Sequence, residues 1–146
     1  MRAIERLERK LRELKAVINP TLKQTIDRNK GVLIDQQQTQ MNKGRDAFNV
    51  SFIPSYAEST IKQKKAKGDP FNRVTLKDTG ELYRSITIDT TTTQAIISTN
   101  VEYFKYLVDH YDTNIILGIQ SEFLNEFLNK YFKPELRKAW EQILKR

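Results

Sequence analysis

The chain of 146 residues contains no cysteine, which excludes a disulfide framework and any thiolate metal site. It has a single histidine, His110. Asp109 and Asp112 flank it, but no second histidine or cysteine completes a metal-ligand set. A serine nucleophile would have only that imidazole as a conventional base, and no serine sits in a nucleophile-elbow context. The five glycines never form a phosphate-cradling loop. No pair of carboxylates stands in a context that separates an acid from a base. These absences predict a protein that is not an enzyme, with no cofactor and no bound metal. Long apolar runs are missing too. No stretch approaches the ~18 consecutive apolar residues of a membrane span, and Met1 to Lys15 alternates charges with isolated apolar residues. The expectation is a protein of a soluble compartment with no membrane association.

What remains is polar but not core-less: 38% of residues are hydrophobic and 29% charged, with seven phenylalanines, six tyrosines and one tryptophan. A chain of this length buries roughly two-thirds of its unfolded surface in one domain. The predicted core is thin, and contacts between copies would extend it. The net charge of +7 is unevenly placed. Residues 1–30 carry nine basic and four acidic side chains, 98–132 carry five acids and two lysines, and 133–146 carry five basic residues and two acids. Basic ends around an acidic stretch can steer nucleic acid, and they equally suit head-to-tail contact between copies.

Periodicity divides the chain. Ile4, Leu7, Leu11, Leu14 and Ile18 are spaced 3, 4, 3 and 4, a two-heptad seam on a helix dense in Arg, Lys and Glu. Such a seam either docks on the domain's own core or pairs with another chain. Asn19-Pro20 is expected to end this helix, with Asn19 capping a second one that turns Leu22 and Ile26 inward and breaks at Gly31. Residues 1–30 therefore read as an N-terminal helical arm, and 31–146 as the body with its C-terminal helices. Val32 to Met41 fits either a strand opening at Val32-Leu33-Ile34 or a helix through Gln36-Gln37-Gln38. Lys43 to Asp46 reads as a turn and Tyr56 to Lys65 as a short helix ending before Gly68-Asp69-Pro70. Asp78-Thr79-Gly80-Glu81 has capping-box spacing, with Asp78 as cap, ahead of a helix carrying Leu82. Ile86 and Ile88 alternate with Thr87 and Asp89, and Ile96-Ile97-Ser98-Thr99 follows a threonine run, the pattern of a β-hairpin. After Gly118, Phe123, Leu124, Phe127, Leu128, Tyr131 and Phe132 recur at helical spacing. Pro134 restarts or kinks that helix ahead of Trp140, Ile143 and Leu144. The predicted class is α+β: a small antiparallel β-sheet with a β-hairpin, flanked by N-terminal and C-terminal helices.

Lys62, Lys64, Lys65 and Lys67 form the densest cationic cluster, with Tyr56 and Phe71 near in sequence. They read either as a solvated face or as a surface towards nucleic-acid phosphates, where neighbouring rings suit single strands.

One stretch is more specific. From Pro54 the chain runs Pro-Ser-Tyr, then Ser59-Thr60-Ile61 and the lysine run. Leu76-Lys77-Asp78-Thr79-Gly80-Glu81-Leu82 follows, then Ser85-Ile86, then Ser98-Thr99-Asn100-Val101-Glu102-Tyr103. This order, up to Tyr106, resembles the phage virion-morphogenesis and tail-completion family of small head–tail joining proteins. It departs from that family after Tyr106, where a glycine-rich segment is replaced by Leu107-Val108-Asp109-His110-Tyr111 and Asn114-Ile115-Ile116-Leu117-Gly118. The resemblance implies a virion structural protein of the neck, assembled in the cytoplasm of a bacterial host. Its partners would be further copies in a homo-oligomeric ring, of about six or twelve, and the portal and tail or neighbouring neck proteins. Genomic DNA would pass through the bore without sequence-specific binding. Under this reading the seam from Ile4 to Ile18 is the subunit interface, and Lys62, Lys64, Lys65 and Lys67 face DNA. A nucleic-acid-binding accessory protein using the basic first helix and the lysine cluster is the alternative. A small regulatory, antitoxin-like partner is a third.

Overall fold

Three consecutive helices run through residues 2–42 of the computed structural model, which describes residues 2–111 and 115–146: α1 (Arg2–Ala16), α2 (Ile18–Arg28) and α3 (Lys30–Asn42). The first break falls at Val17 and not at Asn19-Pro20. Asn19 is the second residue of α2, and it caps nothing. Pro20 is the third residue, inside the first turn, where the missing N–H would have had no intrahelical acceptor. Thr21 then donates to the Val17 carbonyl at 3.0 Å. Gly31 is likewise not the breaker. The chain turns at Asn29, whose side-chain amide donates back to the Thr25 carbonyl at 2.8 Å, and Gly31 lies inside α3.

The stretch from Val32 to Met41 is helix. Leu33, Gln37, Gln40 and Met41 share its buried face, a 3.6-residue periodicity that includes two glutamines. Gly44 then turns the chain with φ +74, and a Cβ there would sit 3.0 Å from the Val74 carbonyl oxygen. Asp46 closes the next loop by accepting from the amides of Phe48 and Val50, both at 2.9 Å.

Helix α4 (Glu58–Lys67) ends at Gly68, whose φ of +75 provides the left-handed cap. Helix α5 (Glu81–Ser85) does not start with a capping box on Asp78. Its N-cap is Gly80 at φ +84, the Asp78 side chain is 85% exposed, and the Glu81 amide is reached at 3.3 Å by the Thr79 hydroxyl. Strands β1 (Thr87–Thr90) and β2 (Ala95–Ser98) pair antiparallel with Ile88 opposite Ile97. Helix α6 (Phe104–His110) precedes residues 112–114, so Asp112 and Asn114 lie outside the described residues. Helix α7 (Ser121–Phe127) widens into a π-helical turn at Leu128–Phe132 and resumes as α8 (Lys133–Leu144). Pro134 is the cause nearest in sequence: it has no N–H to donate back to residue 130, which interrupts the α-helical ladder there.

The architecture is therefore α+β, a two-stranded antiparallel hairpin flanked by N-terminal and C-terminal helices. One core cluster gathers Met41, Phe52, Val74, Leu82, Tyr83, Ile86 and Ile116, and a second joins Leu33, Ile88 and Phe127. Helix α3 supplies residues to both. Helix α2 reaches the second cluster through Ile26. The tertiary tie of α1 is to the C-terminal helix: Trp140 Nε1 donates to the Leu14 carbonyl at 2.9 Å and Lys10 Nζ to that of Ile143 at 2.6 Å.

Candidate functional site

The seam of α1 is divided by its contacts. Leu14 and Ile18 are half-buried near the junction with α8. Ile4, Leu7 and Leu11 are 62%, 60% and 48% exposed, and no residue of α1 is buried. The helix is pinned by main-chain carbonyls at Leu14 and Ile143, so its N-terminal two turns present an apolar ridge to solvent. Six basic residues (Arg2, Arg6, Arg9, Lys10, Arg12 and Lys15) and three glutamates surround that ridge.

The lysine cluster does not form one surface. Lys64 is buried, donates to the Lys77 carbonyl at 2.8 Å, and lies 4.9 Å from the Tyr56 ring centroid. Its long alkyl stem is core material and its ammonium is committed, so it is withdrawn from the DNA-facing set. Lys65 lies over the Phe71 ring at 4.7 Å, and Lys67 is exposed with its ammonium 3.7 Å from Asp78. Lys62 is exposed. Positions 62 and 65 are one turn apart, as are 64 and 67, which divides the four between two faces of α4.

Lys64 and Lys67 belong to a cleft of about 460 Å³ between α4, the 76–81 turn and α6. Lys64, Lys67 and Lys77 are balanced there by Asp69, Asp78 and Glu81, so the cleft has no single sign of charge. Tyr56 and Tyr83 clasp Thr75 beside it: the Tyr56 hydroxyl accepts from the Thr75 amide at 2.9 Å, and the Tyr83 hydroxyl donates to the Thr75 carbonyl at 2.6 Å. Burial, with Tyr56 nearby, pushes the Tyr83 hydroxyl well above its ordinary pKa and raises that of Tyr111. Leu76 lines the cleft at φ +58, a conformation costly for a residue with a Cβ. His110 packs edge-on to Tyr111 at 4.8 Å and is exposed. Among the described residues no group of three or more His, Asp or Glu is placed to hold a metal ion, and no helix is long and apolar enough to cross a membrane.

The segments around Tyr56, Lys77 and Ser85 and the end of the hairpin meet in space. Tyr56 and Tyr83 join at Thr75, Lys64 reaches Lys77, and the Ser85 hydroxyl contacts that of Thr99 at 2.5 Å. Thr99 in turn accepts from the Val101 amide at 3.2 Å. Their shared role visible here is packing.

Sequence reasoning missed a second concavity. An apolar groove of about 420 Å³ runs between α2, the hairpin, residues 117–119 and α7, with Leu33, Ile88 and Phe127 as its floor. Leu22, Ile26, Ile97, Ile119, Leu124 and Leu128 form its walls. In sequence Leu22 and Ile26 read as inward-facing and Leu124 and Leu128 as part of a helical apolar periodicity, and no local signal marks the place where the elements stop short of covering one another. Comparison of the chain with protein-family models, with curated proteins and with solved structures finds no match.

Proposed function

We propose that this chain is a bacteriophage or prophage virion structural protein of the head-to-tail joining region, a ring-forming adaptor between portal and tail. The observation that carries the reading is the uncovered ridge of Ile4, Leu7 and Leu11 on a helix pinned to the body at its other end. Burying a large aliphatic side chain is worth about 1.5–3 kcal/mol, so three of them in a row on one exposed ridge favour a partner. The motif order from Pro54 to Tyr106 supplies the kind of partner, and the basic α1 with the acidic 98–132 stretch suits heterologous contact between copies. In this role the protein works by assembly: copies join into a ring, the ring bridges portal and tail in the virion, and DNA passes through its bore.

Mass measurement in solution, with and without purified portal, tests this. The parent chain is expected to form a closed oligomer that binds portal. Leu11→Asp is expected to remove assembly while the melting temperature stays within about 2–4 °C, as for a surface change in a domain of this size. A parent chain that stays monomeric and ignores portal overturns the reading. So does a Leu11→Asp chain that fails to fold, because the ridge would then be core.

The alternative of a nucleic-acid-binding accessory protein is favoured by the basic residues of α1 and by exposed Lys62. The burial of Lys64 weighs against it. It requires steeply salt-dependent DNA affinity from the monomer.

A further inference from the structure

We infer that the cleft between α4, the 76–81 turn and α6 is a binding site for a small zwitterion of the amino-acid class, its carboxylate held by the Lys64 ammonium and the Tyr111 hydroxyl and its cationic end turned to Asp69. The site stands whether or not copies of the chain assemble.

Lys64 is a buried charge with no counter-charge. It is 8% exposed, and charged side chains are almost never buried to that extent unless paired. Its contacts are the Lys77 carbonyl at 2.8 Å and the Tyr56 ring at 4.9 Å, both neutral. Among the described residues it forms no ion pair. An ammonium has three N–H donors and the carbonyl takes one, so two remain for a ligand.

Tyr111 lines the same cleft and is 9% exposed. Its hydroxyl makes no hydrogen bond among the described residues and is not sealed from solvent. Tyr56, whose ring carries the Lys64 ammonium, lies close enough to Tyr111 to help raise its pKa. Ammonium and hydroxyl therefore converge on the Tyr56 side of the cleft. A carboxylate can accept from both, in the charge-assisted bonds that are the strong ones.

The opposite charge selects the class of ligand. Half-buried Asp69 lines the cleft with Lys64, yet the two form no ion pair. Lys67 and Asp78, at 3.7 Å, are the one ion pair among the described lining residues, and Glu81 has no cationic partner there. A phosphate or a polyanion drawn to Lys64 would meet three carboxylates. A ligand that carries both charges satisfies Lys64 and Asp69 together. The volume, about 460 Å³, is that of a small-molecule site.

The test is calorimetry and thermal unfolding of the full chain with each common amino acid in turn, and with acetate and inorganic phosphate as single-sign probes. At least one amino acid is expected to bind saturably and to raise the melting temperature. Its carboxamide and its N-acetyl form, each lacking one charge, should bind about tenfold or more weakly. Lys64→Met keeps the apolar stem and removes the ammonium. Tyr111→Phe removes an oxygen that bonds nothing in the fold. Each should weaken binding about tenfold or more, the second with the ligand-free melting temperature unchanged. If Lys64→Met fails to fold, Tyr111→Phe decides alone. The site is overturned if no amino acid binds, if acetate or phosphate binds as tightly as the best amino acid, or if Tyr111→Phe binds like the parent.

Discussion

Gln37 and Gln40, one helical turn apart on α3, grip the backbone on both sides of Gly118. Gln37 Nε2 donates to the Ile116 carbonyl at 3.1 Å and its Oε1 accepts from the Gly118 amide at 2.9 Å. Gln40 Nε2 donates to the Gly118 carbonyl at 2.6 Å and its Oε1 accepts from the Gln120 amide at 2.8 Å. Both side chains are fully buried. Two amides thus do for an irregular segment what a neighbouring strand would do, satisfying its main-chain donors and acceptors in turn. Gly118 fits because a Cβ there would lie 2.8 Å from the Ile115 side chain and 3.0 Å from that of Ala47.

Removing one amide strands two backbone groups, each costing about 1–3 kcal/mol when buried. Gln40→Ala is therefore expected to lower unfolding free energy by roughly 2–4 kcal/mol, read from urea titration. A midpoint matching the parent's would show that water replaces the clasp without loss.

The four lysines of α4 should separate by stability. Lys62, Lys65 and Lys67 changed together to Gln are expected to alter unfolding free energy by no more than about 0.5 kcal/mol. Lys64→Gln shortens a buried stem and loses the bond to the Lys77 carbonyl, so a cost of about 1–3 kcal/mol is expected. Thermal unfolding of both variants decides this. Equal melting temperatures would mean that Lys64 is surface after all.

At the start of α5 the backbone matters more than the carboxylate. Asp78→Ala loses only an exposed ion pair with Lys67 and is expected to change stability by about 0–1 kcal/mol. Gly80→Ala forces a Cβ into φ +84 and to 2.9 Å from the Arg84 guanidinium, with an expected cost of about 1–2 kcal/mol. Reversed magnitudes would restore Asp78 as the cap.

Alkaline pH should act through Tyr83. Its raised pKa means that the folded chain holds a proton which the unfolded chain releases near the ordinary tyrosine value of 10.0. Stability from this group is full below that pH and declines as pH rises above it. In Tyr83→Phe the alkaline decline is expected to be shallower, although the neutral-pH stability is lower by about 1 kcal/mol for the lost bond to Thr75. Chemical denaturation across neutral to alkaline pH gives both quantities. An unchanged alkaline slope would place the titrating group elsewhere.

Local chemistry alone determined the class of this protein. Alternating β-branched residues at 86–99 specify the hairpin, the 3–4 spacing of Ile4 to Leu14 specifies an amphipathic helix, and Gly44 and Gly68 turn the chain where glycine is needed. Each of these signals is written in neighbouring residues and depends little on the rest of the fold. The helix boundaries at Val17 and Asn29 were less legible, because a proline in the first turn is no breaker and a glycine can ride inside a helix. Burial of polar groups was not legible at all. The Gln36-Gln37-Gln38 run fits a helix and carries no signal of burial, yet Gln36, Gln37, Gln38 and Gln40 each bond a different part of the main chain, and Lys64 is taken from its cluster by Tyr56 and the Lys77 carbonyl. The division of the α1 seam and the groove beside α7 were decided in the same way. A side chain is core or surface according to what arrives from 80 or 130 residues away, and no local spacing records where two elements fail to meet.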